Sequence, residues 1–178
     1  MSPNFGLKIV KDYPKPGVNF IDINGLLAEP EHFTQVVTRL GEAIETMLTP
    51  ETLKTAAIIS PEARGFIFAA PVAYKLGLPL VLIRKKGKIP NNPYRFHITN
   101  EYTDYDMEVD GDLLDNHTHF IYLDDILATG QTLACVRNAL KAKGKEVALS
   151  LHVTSVEALQ PVRAANKDLK ELPIAIIL

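Results

Sequence analysis

Apolar positions along the chain fall into two alternating rhythms. From Phe33 they recur at Val36, Val37, Leu40, Ile44, Met47 and Leu48, the i, i+3, i+4, i+7 spacing of one helix face over four turns. Pro30 suits the first turn of that helix, and Pro50 follows its end. Beyond it the rhythm shortens. Ala56-Ala57-Ile58-Ile59 is a continuous apolar run that predicts a buried strand. Gly65 to Leu76 predicts a helix capped by Gly77, which Pro71 is expected to break or to begin regularly. Leu80 to Arg84, His119 to Leu123 and Val147 to Val153 read as strands, and Ile174 to Leu178 as a further one. Between them Gly130 to Lys143 reads as a helix stopped by Gly144. Strands alternating with helices predict an α/β fold: a mostly parallel central sheet flanked by helices on both faces. Gly87 to His117 lacks helical rhythm and carries polar and aromatic residues, so it is expected to form a hairpin or flap. Pro14-Lys15-Pro16-Gly17 reads as a rigid loop.

Composition narrows the classes this fold could serve. The 178 residues carry 19 Lys plus Arg against 21 Asp plus Glu, a net charge of −2, and 47% are hydrophobic. That length predicts one domain over residues 1–178, with a core that needs neither disulfides nor a structural metal. The near-neutral balance argues against coating nucleic acid. One cysteine, Cys135, rules out a disulfide framework or a Cys-rich zinc site. No apolar run reaches the roughly 18 residues of a membrane helix, and Met1 to Val10 has no apolar signal core. A cytoplasmic enzyme or binding domain is expected, with no nucleic-acid or membrane partner.

The chemistry concentrates in Phe120-Ile121-Tyr122-Leu123-Asp124-Asp125-Ile126-Leu127-Ala128-Thr129-Gly130-Gln131-Thr132. An apolar strand runs into two acids, then a small-residue turn, then a helix start. Parallel α/β sheets bind ligands outside the carboxyl ends of their strands. A Thr-Gly-x-Thr turn at a helix N-terminus offers free backbone N–H groups and two hydroxyls, a phosphate cradle. Two carboxylates beside a phosphate repel it unless they bind hydroxyls or a divalent cation, which suggests a sugar phosphate.

That segment resembles the phosphoribosyl-diphosphate (PRPP) motif of type I phosphoribosyltransferases. Asp12 to Ile23, Glu62-Ala63-Arg64-Gly65-Phe66-Ile67-Phe68, and Leu82 to Pro90 followed by Glu101-Tyr102 resemble the adenine-using branch of that family, in its order and at similar spacings. The resemblance covers most of Asp12 to Val147. It implies the type I phosphoribosyltransferase fold, with a small hood and a flexible active-site flap. It implies purine salvage: adenine plus PRPP giving AMP plus diphosphate, with Mg²⁺ held mainly through substrate. Asp124 and Asp125 would hold the ribose, and Ala128, Thr129, Gly130, Gln131 and Thr132 the 5′-phosphate. Arg64, Arg84 and Lys88 would meet the diphosphate, Lys88 across the interface of a homodimer. Glu101 would exchange a proton with the purine, and Phe20 and Ile126 would pack on its two faces.

One departure bears on the base and a second on the flap. The family usually has Arg after the stacking Phe, whereas Ile21 stands here with Asn19 before Phe20. The family's Leu-Glu-Tyr-Gly is Asn100-Glu101-Tyr102-Thr103. Hypoxanthine, guanine or xanthine therefore stays open as the base, and a non-catalytic PRPP-binding regulator stays open as another class. Other signals carry less. Asp106, Glu108, Asp110, Gly111 and Asp112 imitate a calcium loop, but its twelfth position is His117 rather than Glu. His117 and His119 fit a strand edge better than a metal site, and Cys135 fits a helix core. No P-loop or GxGxxG fingerprint is present.

Overall fold

Strand β3 (Ala56–Pro61) is buried along its whole length, which puts it at the middle of the sheet. In this computed structural model, which describes residues 5–99 and 104–178, two strands flank it in parallel: β4 (Leu80–Lys85) and β7 (His119–Leu127). Beyond β7, β8 (Glu146–Ser155) and β9 (Ile174–Ile176) continue the parallel run. On the far side of β4, β6 (Asp104–Asp110) and then β5 (Pro93–Thr99) pair antiparallel. The order is β5-β6-β4-β3-β7-β8-β9.

Period-two alternation splits the core into two layers. Ala57, Ile59, Phe120 and Tyr122 pack with Leu133, Ala134, Val136 and Leu140 of α6 (Gln131–Ala142). Ala56, Ile58, Ile121 and Leu123 pack on the other face with α2 (Pro30–Met47) and α4 (Gly65–Leu76). The apolar stripe of α2 supplies Val36, Leu40 and Ile44, each fully buried. Each such side chain is worth about 1.5–3 kcal/mol, so the two layers hold the helices on both faces of the sheet. Short helices α1 (Asn24–Ala28) and α3 (Pro50–Lys54) lead into and out of α2.

Three expectations change. Pro71 neither breaks nor begins α4, which runs from Gly65 through it to Leu76. It forfeits one backbone hydrogen bond, but Phe68, Ala69, Val72 and Ala73 are buried on either side and hold the helix. Strand β7 does not stop at Leu123. It carries Asp124 and Asp125 and ends at Leu127, because β8 keeps pairing through Asp124↔His152 and Leu127↔Ser155. Its pairing with β3 ends at Ile59↔Tyr122, so the acids are held from the β8 side alone. Finally, β1 (Lys8–Val10) and β2 (Phe20–Asp22) form a separate antiparallel hairpin around the Pro14–Gly17 loop. Three exposed or half-buried residues per strand leave no periodicity to read.

The Gly87–His117 stretch forms the expected hairpin of β5 and β6, followed by α5 (Gly111–Asp115). The acids that imitated a calcium loop are spent structurally. Asp110 caps α5, accepting from the N–H groups of Asp112 and Leu113. Asp106 pairs with Lys86 at 2.9 Å and with His97. His119 opens β7 and bonds Thr55, while His117 lies before the strand. Among the described residues no cluster of three or more His, Cys, Asp or Glu could hold a metal. No helix there is long and apolar enough to cross a membrane.

His97 faces Asp106 through Nδ1 at 2.9 Å and Asp104 through Nε2, so both ring nitrogens favour a proton. Hydrogen bonds to Asp106 first and Asp104 second raise its pKa above the ordinary 6.5. The stabilisation is therefore full below 6.5 and is lost as pH rises through the raised value. NMR titration of the His97 ring should give a midpoint above 6.5 that falls in Asp106→Asn. A midpoint unmoved by that substitution contradicts the assignment.

Candidate active site

The carboxyl end of β7 brings two acids together in an enclosed place. Asp124 accepts from the Asp125 N–H at 2.9 Å and from the Tyr122 hydroxyl at 3.1 Å. Burial pushes the Asp124 carboxyl well above its usual range, the Asp125 charge adds to that, and the Asp125 N–H opposes it. Burial, then the Asp124 charge, likewise raises the Tyr122 phenol, so it stays a proton donor to Asp124.

The loop from β3 into α4 closes on these acids. A Cβ on Gly65 would lie 2.5 Å from Ser60 Oγ, 2.9 Å from Asp124 Oδ1 and 3.2 Å from the Leu123 carbonyl. Only glycine allows the helix to start against β7 here. Arg64, just before it, sets Nε 2.8 Å from Asp125 Oδ2. The N–H does not point along that line, so this buried oxygen has an ion-pair partner but no hydrogen bond. The same guanidinium lies over the Phe20 ring at 5.2 Å and reaches the Ile21 carbonyl at 3.4 Å. Tyr13 stands edge-on to Phe20 at 5.3 Å. One face of Phe20 is therefore covered by Arg64, and a base would stack on the other face or displace that side chain. Ile126 packs on the core below α4 and lines the cleft at the end of β7.

Arg84 and Lys88 converge, but on a residue absent from the expected set. Glu62 accepts from Arg84 Nε at 2.7 Å and from Lys88 Nζ at 3.2 Å. Burial pushes the Glu62 carboxyl up, but hydrogen bonds from Arg84, Lys88 and the Lys85 N–H outweigh it and hold the carboxyl below its usual range. Glu62 belongs to the Glu-Ala-Arg-Gly motif, so its presence was visible, but its pairing was not. Glu108 had no such signal. It is fully covered and accepts from the N–H groups of Ile89 at 2.7 Å and Lys88 at 2.6 Å, with Arg95 at 3.3 Å. These bonds, the Ile89 N–H foremost, hold its carboxyl low and pin the backbone that carries Lys88.

On the other side of the acids, Ala128, Thr129, Gly130, Gln131 and Thr132 line a narrow cleft with Tyr122, Asp124, Ile126 and His152. Thr129 Oγ1 accepts from the Gln131 N–H at 3.3 Å. Gly130, the N-cap of α6, has φ 77° and no side chain to cap it, so the first-turn N–H groups after Gln131 are left without a side-chain cap. His152 was not expected in this lining. Burial first and Arg163 second lower its pKa to about 3, leaving a neutral ring whose Nε2 bonds Ser150 Oγ at 2.8 Å. Glu101, between β5 and β6 in sequence, lies outside the described residues.

The acid pair Asp124 and Asp125 thus has the 128–132 turn beside it in one cleft and Arg64 on its other side, with Arg84 and Lys88 gathered on Glu62 in the same β3–α4 loop. The model of the phosphoribosyl transferase domain matches residues 32–175. The chain belongs to that family of phosphoribosyl transferases. An adenine phosphoribosyltransferase of Treponema denticola is 37% identical over 97% of this chain and 85% of its own. One of Chloroflexus aurantiacus is 33% identical over 94% of this chain and 91% of its own. Among solved structures, that enzyme from Thermoanaerobacter pseudethanolicus superposes with a TM-score of 0.82 at 28% identity, covering 97% of this chain and 94% of that one. The Giardia lamblia enzyme, complexed with 9-deazaadenine, gives 0.80 at 25% identity over 96% and 92%. The expected type I fold is thereby borne out.

The raised carboxyl gives a signed expectation. An acid with a raised folded-state pKa stabilises the fold only while protonated, fully below its ordinary 3.8, and that contribution is lost as pH rises through the raised value. Asp124→Asn keeps the neutral shape. It should resist denaturant better than the parent at neutral pH, with the difference vanishing below pH 3.8. Equal or lower stability of the variant at neutral pH contradicts this.

Proposed function

We propose that this chain is a purine salvage phosphoribosyltransferase that joins adenine to PRPP, giving AMP and diphosphate. The observation that carries the reading is one juxtaposition: Asp124 and Asp125 between the uncapped start of α6 and the cations Arg64, Arg84 and Lys88. The names of the relatives support adenine as the base.

In the proposed reaction the loop 128–132 holds the 5′-phosphate through backbone N–H groups and the dipole of α6. Asp124 and Asp125 accept hydrogen bonds from the ribose hydroxyls and lie beside the positive charge that develops at its C1. The base nitrogen bonds to C1 as the C1–O bond to diphosphate breaks, and the bonding electrons leave with diphosphate. Arg64, Arg84 and Lys88 exchange their carboxylate partners for the departing diphosphate, where fixed cations in a water-poor site count most. Glu101 takes the proton that the base releases. Phe20 and Ile126 flank the base. The region of β5 and β6 closes over the site and excludes water, which would otherwise hydrolyse PRPP.

The donor set fits Mg²⁺ of the kind held through substrate oxygens. Asp125 Oδ2, buried without a hydrogen bond and paired with Arg64, is the protein oxygen that would join it once Arg64 turns to the diphosphate. Bound with PRPP, Mg²⁺ would offset the negative charge of the leaving group. A homodimer is part of the proposal. Helix α4 exposes Ile67 and, 91% exposed, Tyr74, seven residues apart on one face, which suits contact with a second copy. The whole chain is taken as one domain. A cytoplasmic location suits the free, half-buried Cys135.

The test is a radiolabelled-PRPP assay against adenine, hypoxanthine, guanine and xanthine. Adenine should turn over fastest, and Asp124→Asn with Asp125→Asn should abolish transfer while the fold is kept. Faster turnover on another purine corrects the base. Binding without turnover on any base favours a regulator, and full activity of the double variant overturns the assignment.

A further inference from the structure

A loop that turns its N–H groups toward a phosphate turns carbonyls the other way, and those carbonyls need donors of their own. At the end of β7 the donor is Arg163, on the short helix α7 (Gln160–Ala165) in a part of the chain with no motif. Its Nη1 donates to the carbonyls of Val156 at 2.8 Å, Ala128 at 2.9 Å and Leu127 at 3.3 Å. The Val156 N–H meets the same Leu127 carbonyl at 2.9 Å. One guanidinium thus ties α7 and the end of β8 to the first residue of the 128–132 loop and the strand residue before it.

The next turn of chain completes the backing. Leu169 is buried, and a Cβ on Gly130 would lie 2.5 Å from its Cδ1. Gly130 at φ 77° is pressed against Leu169 on one side while its loop opens into the cleft on the other. Arg137 of α6 donates to the carbonyls of Asp168 at 2.5 Å and Lys170 at 3.0 Å, fastening that segment to the helix that the loop begins.

We infer that Arg163, backed by Leu169, is the positioning residue of the 5′-phosphate loop, holding its carbonyls away from the cleft so that its N–H groups face the phosphate. The inference rests on the phosphoribosyl-transfer reading above. Arg163 does not line the cleft. It acts through the Ala128 and Leu127 carbonyls and sets a permanent positive charge behind the loop. All three contacts converge on Nη1, and arginine suits the position because its head is planar, rigid and does not lose its proton. A lysine keeps the charge and can offer its donors at one point, but on a flexible stem.

The test compares the full chain with Arg163→Met and Arg163→Lys. Steady-state kinetics gives kcat and KM for PRPP and for adenine. Calorimetry gives the affinities for ribose 5-phosphate and for diphosphate with Mg²⁺. Arg163→Met should raise KM for PRPP and weaken ribose 5-phosphate about tenfold each, the scale of one hydrogen bond to a charged group. KM for adenine and diphosphate affinity should hold within about twofold, a change below the worth of one net hydrogen bond. Arg163→Lys should recover part of the loss, and Leu169→Ala should show a smaller loss of the same kind. Losses shared equally among adenine, diphosphate and ribose 5-phosphate mean a merely structural role and overturn the inference, as do unchanged values for PRPP. If Arg163→Met does not fold, Arg163→Lys and Leu169→Ala decide by the same split. If the parent chain transfers to no base, the proposed function fails, and ribose 5-phosphate binding still decides the role of Arg163.

Discussion

Asp124 and Asp125 stand side by side where β7 has outrun its pairing with β3, and their charge constrains what surrounds them. Two enclosed carboxylates cannot both ionise cheaply. The fold answers with a phenol on one, an arginine on the other, and backbone N–H groups nearby. Gly65 follows from the same constraint, since any side chain there would strike Asp124. So does the chain order of the loop, which sets Arg64 one residue earlier, within reach of Asp125.

The three cations of the site are all engaged by its own acids. Arg64 sits on Asp125, and Arg84 and Lys88 sit on Glu62. Such pairs hold the half-exposed cations in place and give the buried carboxylates of Asp125 and Glu62 a partner each. In the proposed reaction diphosphate competes for partners that already exist, so binding exchanges one set of anions for another. Glu62 then serves as the stand-in for the leaving group. Glu108 fixes the backbone of Lys88 from behind.

The layered core was legible because its periodicities are long and clean. The stripe of α2 and the apolar runs of β3, β4 and β8 each lie where the pattern put them. The β1–β2 hairpin was not legible, because its strands have three residues each and no buried face. The far end of β7 was not legible: the strand was expected to stop at Leu123, because an Asp-Asp pair breaks the apolar pattern that burial alone would extend. Pro71 misled for the reverse reason: a local rule yielded to packing on both sides of it. At the candidate site, local motifs picked out the acids, the 128–132 turn and the basic residues. What they could not name were partners far apart in sequence. Glu62 lies 22 residues before Arg84, and Arg163 lies 35 residues after Ala128. Only the closing of the sheet brings these together.

The most direct test of this exchange of charge is a crystal structure of the chain with ribose 5-phosphate, diphosphate and Mg²⁺. Arg84 Nε and Lys88 Nζ should have left Glu62 for diphosphate oxygens, Arg64 should have turned from Asp125 toward the same group, and the 5′-phosphate should sit on the 128–132 loop. Diphosphate bound with Arg84 and Lys88 still on Glu62, or a phosphate held away from that loop, would contradict the account.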